Sequence, residues 1–187
     1  MNHTLQTERL NMRPFTWNDR ALVYAIAADE ETVKYLYYWG RMGTTPESDT
    51  DRFLKYAAGG WEKTPIIDRE YVLELKDGTA IGDGSIQIIG DGVAEIGWIL
   101  LPEYRGYGYV TEMARELLKY GFEELKVNHI VASCDARNVA SYRVMERLNM
   151  YHEETKIGVR PEKHAGEAKG DTLVYGISRE EWHNETP

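Results

Sequence analysis

The residue types and spacing that most directly imply chemistry lie in Arg105-Gly106-Tyr107-Gly108-Tyr109-Val110-Thr111. The apolar run Ile96-Gly97-Trp98-Ile99-Leu100-Leu101 precedes them and reads as a buried strand. From Met113 to Phe122 the apolar side chains recur at helical spacing. A strand therefore ends, a glycine-rich turn follows, and a helix begins. The first backbone N–H groups of a helix have no partner inside it, and its dipole is positive at that end. Glycines there let a ligand come close to the backbone. Such a turn is a cradle for an anion, with phosphate the obvious example.

Two common phosphate loops do not fit. No Gly-Lys-Ser/Thr follows, which rules out the P-loop. The spacing Gly106-x-Gly108 lacks the third glycine of a dinucleotide fold, and no second βαβ unit is evident. On the loop alone, a plain strand-to-helix turn and another kind of nucleotide-binding α/β domain stay open. Nearby side chains add detail. Glu112 falls in the first helical turn, where the dipole favours a carboxylate for structural reasons. Strict alternation puts Glu95, Gly97 and Ile99 on one face of their strand. Asp83 lies on the neighbouring strand. Asn138 is a natural helix N-cap. Cys134 has no His pattern to give it a base, so it reads as a small apolar residue. The histidines at 3, 129, 152, 164 and 183 show no metal-ligand spacing, and no metal is expected. The cluster Tyr35-Leu36-Tyr37-Tyr38-Trp39, joined by Trp61, reads as core or as the lining of a substrate pocket.

The elements that must position these residues follow from the rest of the chain. At 187 residues, 28% charged and 42% hydrophobic, it suits one soluble domain, spanning residues 5–180. The net charge of -9 and the lack of a basic cluster argue against nucleic acid as a partner. The acidity suits cationic substrates such as amines, and equally simple solubility. No apolar run reaches the ~18 residues of a membrane span. The single cysteine and the lack of a signal-peptide pattern point to the cytoplasm.

Leu5 to Arg13 reads as a strand stopped by Pro14, and Thr16 or Asn18 caps a helix through Ala27. Thr45-Pro46-Glu47 starts another helix, which ends near Gly59-Gly60. Strands are expected over Tyr71–Lys76, Ala80–Ile89 and Ala94–Leu101, with Asp77-Gly78 and Asp91-Gly92 as turns. After the loop and its helix come a strand His129–Asp135 and a helix Asn138–Leu148. Two late strands, Tyr151–Val159 and Thr172–Ile177, flank a polar loop, and Ser178-Arg179-Glu180-Glu181 reads as a capping box. The order β-α-α-β-β-β-α-β-α-β-β argues for a mixed α/β fold with helices on both faces.

Arg105-x-x-Gly108-x-Val110 resembles the pyrophosphate loop of the GNAT superfamily of N-acetyltransferases, Gln/Arg-x-x-Gly-x-Gly/Ala, with Val110 at a usually small position. The resemblance extends over roughly Leu5 to Ile177. Leu5-Gln6-Thr7-Glu8-Arg9-Leu10-Asn11-Met12-Arg13-Pro14, Ala94-Glu95-Ile96-Gly97-Trp98-Ile99 and Cys134-Asp135-Ala136-Arg137-Asn138-Val139-Ala140-Ser141 are similar to the branch that acetylates ribosomal-protein N-termini. The resemblance implies a central, mostly antiparallel, twisted sheet, splayed where acetyl-CoA enters between the strands of Ile99 and Cys134. It assigns the amides of Arg105, Gly106, Tyr107, Gly108, Tyr109, Val110 and Thr111 to the pyrophosphate. Ile99, Leu100 and Leu101 pair with the pantetheine arm, and Asn138 contacts it.

The expected reaction is direct attack of a primary amine on acetyl-CoA in a ternary complex. Glu95 is the leading general base, acting through a water, with Asp83 as a rival. Many relatives carry a tyrosine seven residues after the asparagine to protonate the thiolate. Met145 stands there instead, which leaves Ser141, as some of the branch use it, or Tyr142. The acceptor is a protein N-terminus or a small-molecule amine, its pocket is formed by segments 29–64 and 151–171, and a homodimer is expected from the edge that the late strands offer. The alternative is an acyl-CoA sensor of the same fold without efficient transfer.

Overall fold

A computed structural model describes residues 4–37, 44–61, 68–162 and 169–185. The strands are β1 Leu5–Gln6, β2 Leu10–Pro14, β3 Asp68–Leu75, β4 Ala80–Gly90, β5 Val93–Leu100, β6 His129–Asp135, β7 Tyr151–Lys156 and β8 Thr172–Ser178. They form one sheet in the order β1-β2-β3-β4-β5-β6-β8-β7. The helices are α1 Arg20–Ala28, α2 Glu30–Val33, α3 Pro46–Gly60, α4 Tyr109–Lys119, α5 Val139–Arg147 and α6 Arg179–Glu185.

Alternation along the strands sorts side chains into two cores. Tyr71 and Leu73 face α4 and α5, with Ile96, Ile130, Met113, Leu117 and Met145. Val72, between them in sequence, faces α1 and α3, with Phe15, Val23, Ile26 and Leu54. Helices therefore cover both faces, as expected of the fold. The helix starts obey local chemistry. Thr45 Oγ1 accepts from the Ser48 N–H while Ser48 Oγ accepts from the Thr45 N–H, a reciprocal cap with Pro46 in the first turn.

Three expectations need correction. Leu5 to Arg13 is not one strand but the hairpin β1–β2. Thr7 ends the first arm by donating its N–H to Leu10 O (3.0 Å) and accepting the Leu10 N–H on its hydroxyl (3.0 Å). The short helix α2 is legible only in retrospect, through the Asp29 side chain that accepts from the Thr32 N–H at 2.9 Å. Strand β7 stops at Lys156 rather than Val159, because Gly158 takes a positive φ of 62° and donates its N–H to Asp171 Oδ1 at 2.8 Å.

The feature that positions the site is a split in the sheet. Every neighbouring pair is antiparallel except β5–β6. Those two run parallel and pair only at Val93–His129, Ala94–Ile130 and Glu95–Val131. Strand β5 stays on β4 as far as Leu100, and β6 stays on β8 as far as Asp135. Beyond Glu95 and Val131 the two strands part, which is the splay expected between Ile99 and Cys134.

On the other side of β5, Gly82 lets β4 approach closely. A Cβ there would lie 2.2 Å from Ile99 O and 3.0 Å from Leu100 Cα. Both are backbone atoms, so the strand itself would have to move. The register of β3 on β4 shifts next to this point, between Leu73 and Glu74. Gly82→Ala is expected to cost about 1–3 kcal/mol in urea denaturation, the usual range for overpacking.

Candidate active site

The loop between β5 and α4 has the backbone the sequence implies. Gly106 and Gly108 take φ of 85° and 83°, a region that favours glycine, and Gly108 is the N-cap of α4 without a side-chain cap. The first bond of the helix is Glu112 N–H to Gly108 O at 3.1 Å. Among the described residues, no group accepts from the amides of Gly106 to Thr111. Arg105 departs from expectation. Its N–H is already donated to Pro102 O (3.2 Å), so the free set starts at Gly106. Its guanidinium turns back, donating from Nε to Leu100 O at 3.0 Å and from Nη2 to Thr32 Oγ1, with Asp29 3.8 Å away. Arg105 thus fastens the loop to the end of β5 and to α2.

A second brace comes from the β1–β2 hairpin. Glu112 Oε1 accepts the Thr7 hydroxyl (2.5 Å) and the Arg9 N–H (2.8 Å), and Oε2 accepts Arg9 Nε (2.6 Å). Arg9 also donates Nη1 to Tyr107 O at 2.9 Å and lies 4.7 Å over the Tyr109 ring. Partial burial works against the Glu112 charge, but Thr7 and Arg9 hold its carboxyl below the usual range. Glu112 is structural, as read from its place in the helix. The role of Arg9, some hundred residues away in sequence, has no local signal.

Two cavities flank the split. One, of about 730 Å³, runs along the loop, the end of β5 and the start of α5. It is lined by Ile99, Leu100, Arg105, Gly106, Gly108, Tyr109, Val110, Thr111, Asn138 and Ser141. Two expected contacts do not line it. Tyr107 projects outward, 63% exposed. Leu101 packs against the α1–α3 core and donates its N–H to Ile81 O at 3.0 Å. The other cavity, of about 630 Å³, lies over the α1–α3 face of the sheet. Its floor carries Glu70, Asp83, Ser85, Gln87, Glu95 and Gly97, and its walls include Tyr35, Tyr37, Phe53, Tyr56 and Trp98. Tyr35, Leu36, Trp98, Ile99, Asn138 and Ser141 border both cavities, so the two meet at the split.

At that junction Asn138 Oδ1 caps α5 by accepting the Ser141 N–H at 3.2 Å, which leaves its amide nitrogen for a ligand. The Ser141 hydroxyl sits against the Cys134 thiol. Burial pushes that thiol up to about 11 even though Ser141 favours its charged form, so at neutral pH it is not a nucleophile. Met145 is wholly buried in the α4–α5 core. Tyr142 packs against the same core beneath Arg143 and borders neither cavity. Tyr35, read from sequence only as one of an aromatic cluster, is a further hydroxyl-bearing residue at the junction. Of the aromatic cluster, Tyr35 to Tyr37 line the second cavity, and Tyr38 and Trp39 lie outside the described residues. Trp61 does not join them; it donates Nε1 to Glu70 O at 3.1 Å and meets Tyr71 edge-on.

The floor carboxyls sit in different surroundings. Glu95 Oε1 accepts the Ser133 hydroxyl at 2.5 Å. Burial pushes Asp83 up to about 7, against a stabilising contact from the Ile99 backbone. Glu70 is held well above the usual carboxyl range, first by burial and then by the charges of Asp83 and Asp68. Among the described residues no group of His, Cys, Asp and Glu is arranged to hold a metal, and no helix is long and apolar enough to cross a membrane.

Comparison with known proteins agrees with this architecture. Residues 9–151 match the family model described as an acetyltransferase (GNAT) domain. A Bacillus subtilis (strain 168) protein described as an uncharacterized N-acetyltransferase, YnaD, is 32% identical over 181 residues, covering 96% of this chain and 99% of that protein. The crystal structure of a GNAT-family acetyltransferase from Bacillus anthracis superposes with a TM-score of 0.80 at 29% identity, covering 95% of this chain and 99% of that one. Mycobacterium smegmatis RimJ in complex with CoA-disulfide has a TM-score of 0.79 at 19% identity over 95% of this chain and 88% of that one, a likeness of fold alone.

Two tests follow from the site geometry. Iodoacetamide at pH 8 is expected to alkylate Cys134 in the native chain at less than about one hundredth of the rate in urea. Glu112→Gln is expected to lose about 1–2 kcal/mol in urea denaturation at pH 7. The Glu112 carboxyl is lower in the folded than in the unfolded state. Its contribution is therefore present above about pH 4.3, and the difference from the variant closes as pH falls through the lower folded value.

Proposed function

Because the chain belongs to the GNAT acetyltransferase family and is an acyltransferase, we propose that it moves an acetyl group from acetyl-CoA to a primary amine by direct attack in a ternary complex. The observation that carries this reading is the pair of cavities on either side of the β5–β6 split, sharing Ile99, Asn138 and Ser141. A reaction between two bound molecules needs such a meeting point.

In this reading the larger cavity holds acetyl-CoA. The amides of Gly106 to Thr111, at the positive end of α4, take the pyrophosphate. Beyond Glu95 the side of β5 that faces β6, around Ile99 and Leu100, offers backbone groups to the pantetheine amides, as an added strand would, with Leu100 O already accepting from Arg105 Nε. Asn138 Nδ2 supplies one more donor. Acetyl-CoA brings a thioester, whose carbon is open to attack and whose sulfur leaves as thiolate. Ser141, at the junction, is the hydroxyl placed to hydrogen-bond that sulfur.

The second cavity takes the amine. Its aromatic walls and acidic floor suit an ammonium, through cation–π attraction and carboxylate contacts. Its volume fits a small amine or the first residues of a protein N-terminus. The floor carboxylates supply the group that makes the amine neutral, with Glu95 the one expected from sequence. We place the chain in the cytoplasm, on the strength of its single, free, buried cysteine. The exposed edge strand β7 favours a homodimer. Met145, buried where many relatives carry a tyrosine, favours a second reading, an acyl-CoA sensor that binds without turnover.

Calorimetric titration with acetyl-CoA, CoA, ATP and NAD, followed by a thiol-release assay over a panel of primary amines, tests the proposal. Acetyl-CoA and CoA are expected to bind, ATP and NAD to bind far more weakly, and at least one amine to release CoA thiol. Gly108→Ala is expected to weaken CoA binding roughly tenfold, since an L-residue at that φ costs about 1–2 kcal/mol. Silence with acetyl-CoA beside a clear signal with ATP or NAD would refute the donor assignment. Binding without release from any amine would favour the sensor.

A further inference from the structure

The carboxyls on the floor of the second cavity do not stand at equivalent places along the split. Glu95 lies where β5 and β6 are still paired, opposite Val131, and its Oε1 is engaged by Ser133 at 2.5 Å. Asp83 pairs with Ile99, beyond the point of parting, and Ile99 borders both cavities. Asp83 is only 4% exposed, yet it lines the cavity. Among the described residues, no Lys, Arg or His forms an ion pair with Asp83 or Glu70.

Glu70 stands beside it. Glu70 pairs with Ser85, and Asp83 lies two residues along the same strand on the same face. Diagonal neighbours of this kind have Cα atoms about 7–8 Å apart, close enough for each charge to oppose the other. The charged and titratable groups lining the same cavity from other elements are Arg52 and Tyr56 on α3, Tyr35 and Tyr37 after α2, Glu95 on β5, Cys134 on β6 and Arg160 after β7. Asp68 on β3 adds a further negative charge. Arg52 lies on Asp49 at 2.8 Å. Arg160 is directed at Thr172 Oγ1 (3.0 Å), Tyr35 O (2.8 Å) and Asp135 (4.0 Å).

We propose that Asp83, with Glu70 beside it, is the catalytic residue that takes the proton from the acceptor's ammonium, while Glu95 with Ser133 orients that ammonium. This rests on the transferase reading above. The acceptor enters as R–NH3⁺. The Asp83 carboxylate takes one proton, leaving R–NH2 with a free electron pair. The nitrogen bonds to the thioester carbon, the C–S bond breaks, and its electron pair stays on sulfur. The second proton shed by nitrogen passes to that thiolate to give the CoA thiol, and Asp83 returns its own proton to water.

The environment suits Asp83 to this step. A carboxylate of ordinary acidity is a weak base toward an ammonium. One pushed up to about 7 by burial is both partly ionised and usefully basic near neutral pH. Glu70 is held well above the usual carboxyl range, first by burial and then by the charges of Asp83 and Asp68, so each of the two carboxyls opposes the ionisation of the other.

The test uses the full chain, acetyl-CoA and the amine that turns over fastest in the thiol-release panel. Wild type is expected to lose kcat/KM on the acid side with a midpoint near 7. Asp83→Asn is expected to lower kcat/KM about 100-fold and to abolish that limb, with CoA affinity unchanged. Glu95→Gln is expected to raise KM for the amine and to keep the limb. Asp83→Asn within about threefold of wild type, or a limb near 7 that survives it, overturns the proposal.

A second readout needs no acceptor. The folded-state value of Asp83 lies above its unfolded value, so its destabilising effect is absent below the unfolded value and grows as pH rises towards 7. Asp83→Asn is therefore expected to melt above wild type at pH 8, with the gap narrowing towards pH 4. A gap that does not depend on pH overturns the proposal, even if every amine is silent. Silent amines with the expected melting behaviour count against the transferase reading instead.

Discussion

The structure depends on an incomplete strand pairing. β5 and β6 run parallel and share only the contacts from Val93–His129 to Glu95–Val131 before they separate. A buried backbone group without a partner is costly, so native chains rarely leave a strand edge open inside a fold. Here the edge opens into a cleft lined by the residues that precede and follow the glycine loop. The missing hydrogen bonds are available to a ligand of matching shape and amide spacing. Holding strands apart in this way costs the fold stability and, in the proposed function, gives it a binding edge.

Several remote contacts keep the split in place. Gly82 draws β4 onto β5 so closely that no side chain fits between them, which fixes the outer side of Ile99 and Leu100. Arg105 ties Leu100 O to Thr32, setting the exit of β5 against α2. The Thr7–Arg9 turn holds Glu112 and, through Arg9, the carbonyl of Tyr107. Glu112 is thereby turned from the amides at the start of α4, where an unpaired carboxylate would compete with an incoming phosphate. The open edge and the glycine loop have this in common: each is braced by side chains from distant parts of the chain.

Much of this was legible in the sequence, and the limits have physical causes. The glycine loop, the helix after it and the hairpin strands β4 and β5 follow from local signals: periodicity, Asp-Gly turns and caps. Asn138 as a cap, and the shared face of Glu95, Gly97 and Ile99, follow from the same rules. The resemblance carried the splay, which no local pattern encodes because it is a relation between strands more than thirty residues apart. The break of the first strand at Thr7 was missed because its cause, a side-chain bond back to Leu10, competes with a run that otherwise reads as extended. Arg9 and Glu70 carried no signal, and Tyr35 and Asp83 stood in the sequence only as part of an aromatic cluster and as a rival base, for a related reason. Each matters through neighbours supplied by another element, and a single chain of letters does not show which face of a strand meets which helix.

Hydrogen exchange with and without acetyl-CoA, read by mass spectrometry at single-residue resolution, tests the central claim most directly. The account predicts slowed exchange confined to β5 beyond Gly97, within Trp98 to Leu100, and to the amides of Gly106 to Thr111, with the Val93–Glu95 stretch unchanged. Protection of the loop alone, with Trp98 to Leu100 exchanging as before, would mean that the open edge of β5 does not receive the ligand and would contradict it.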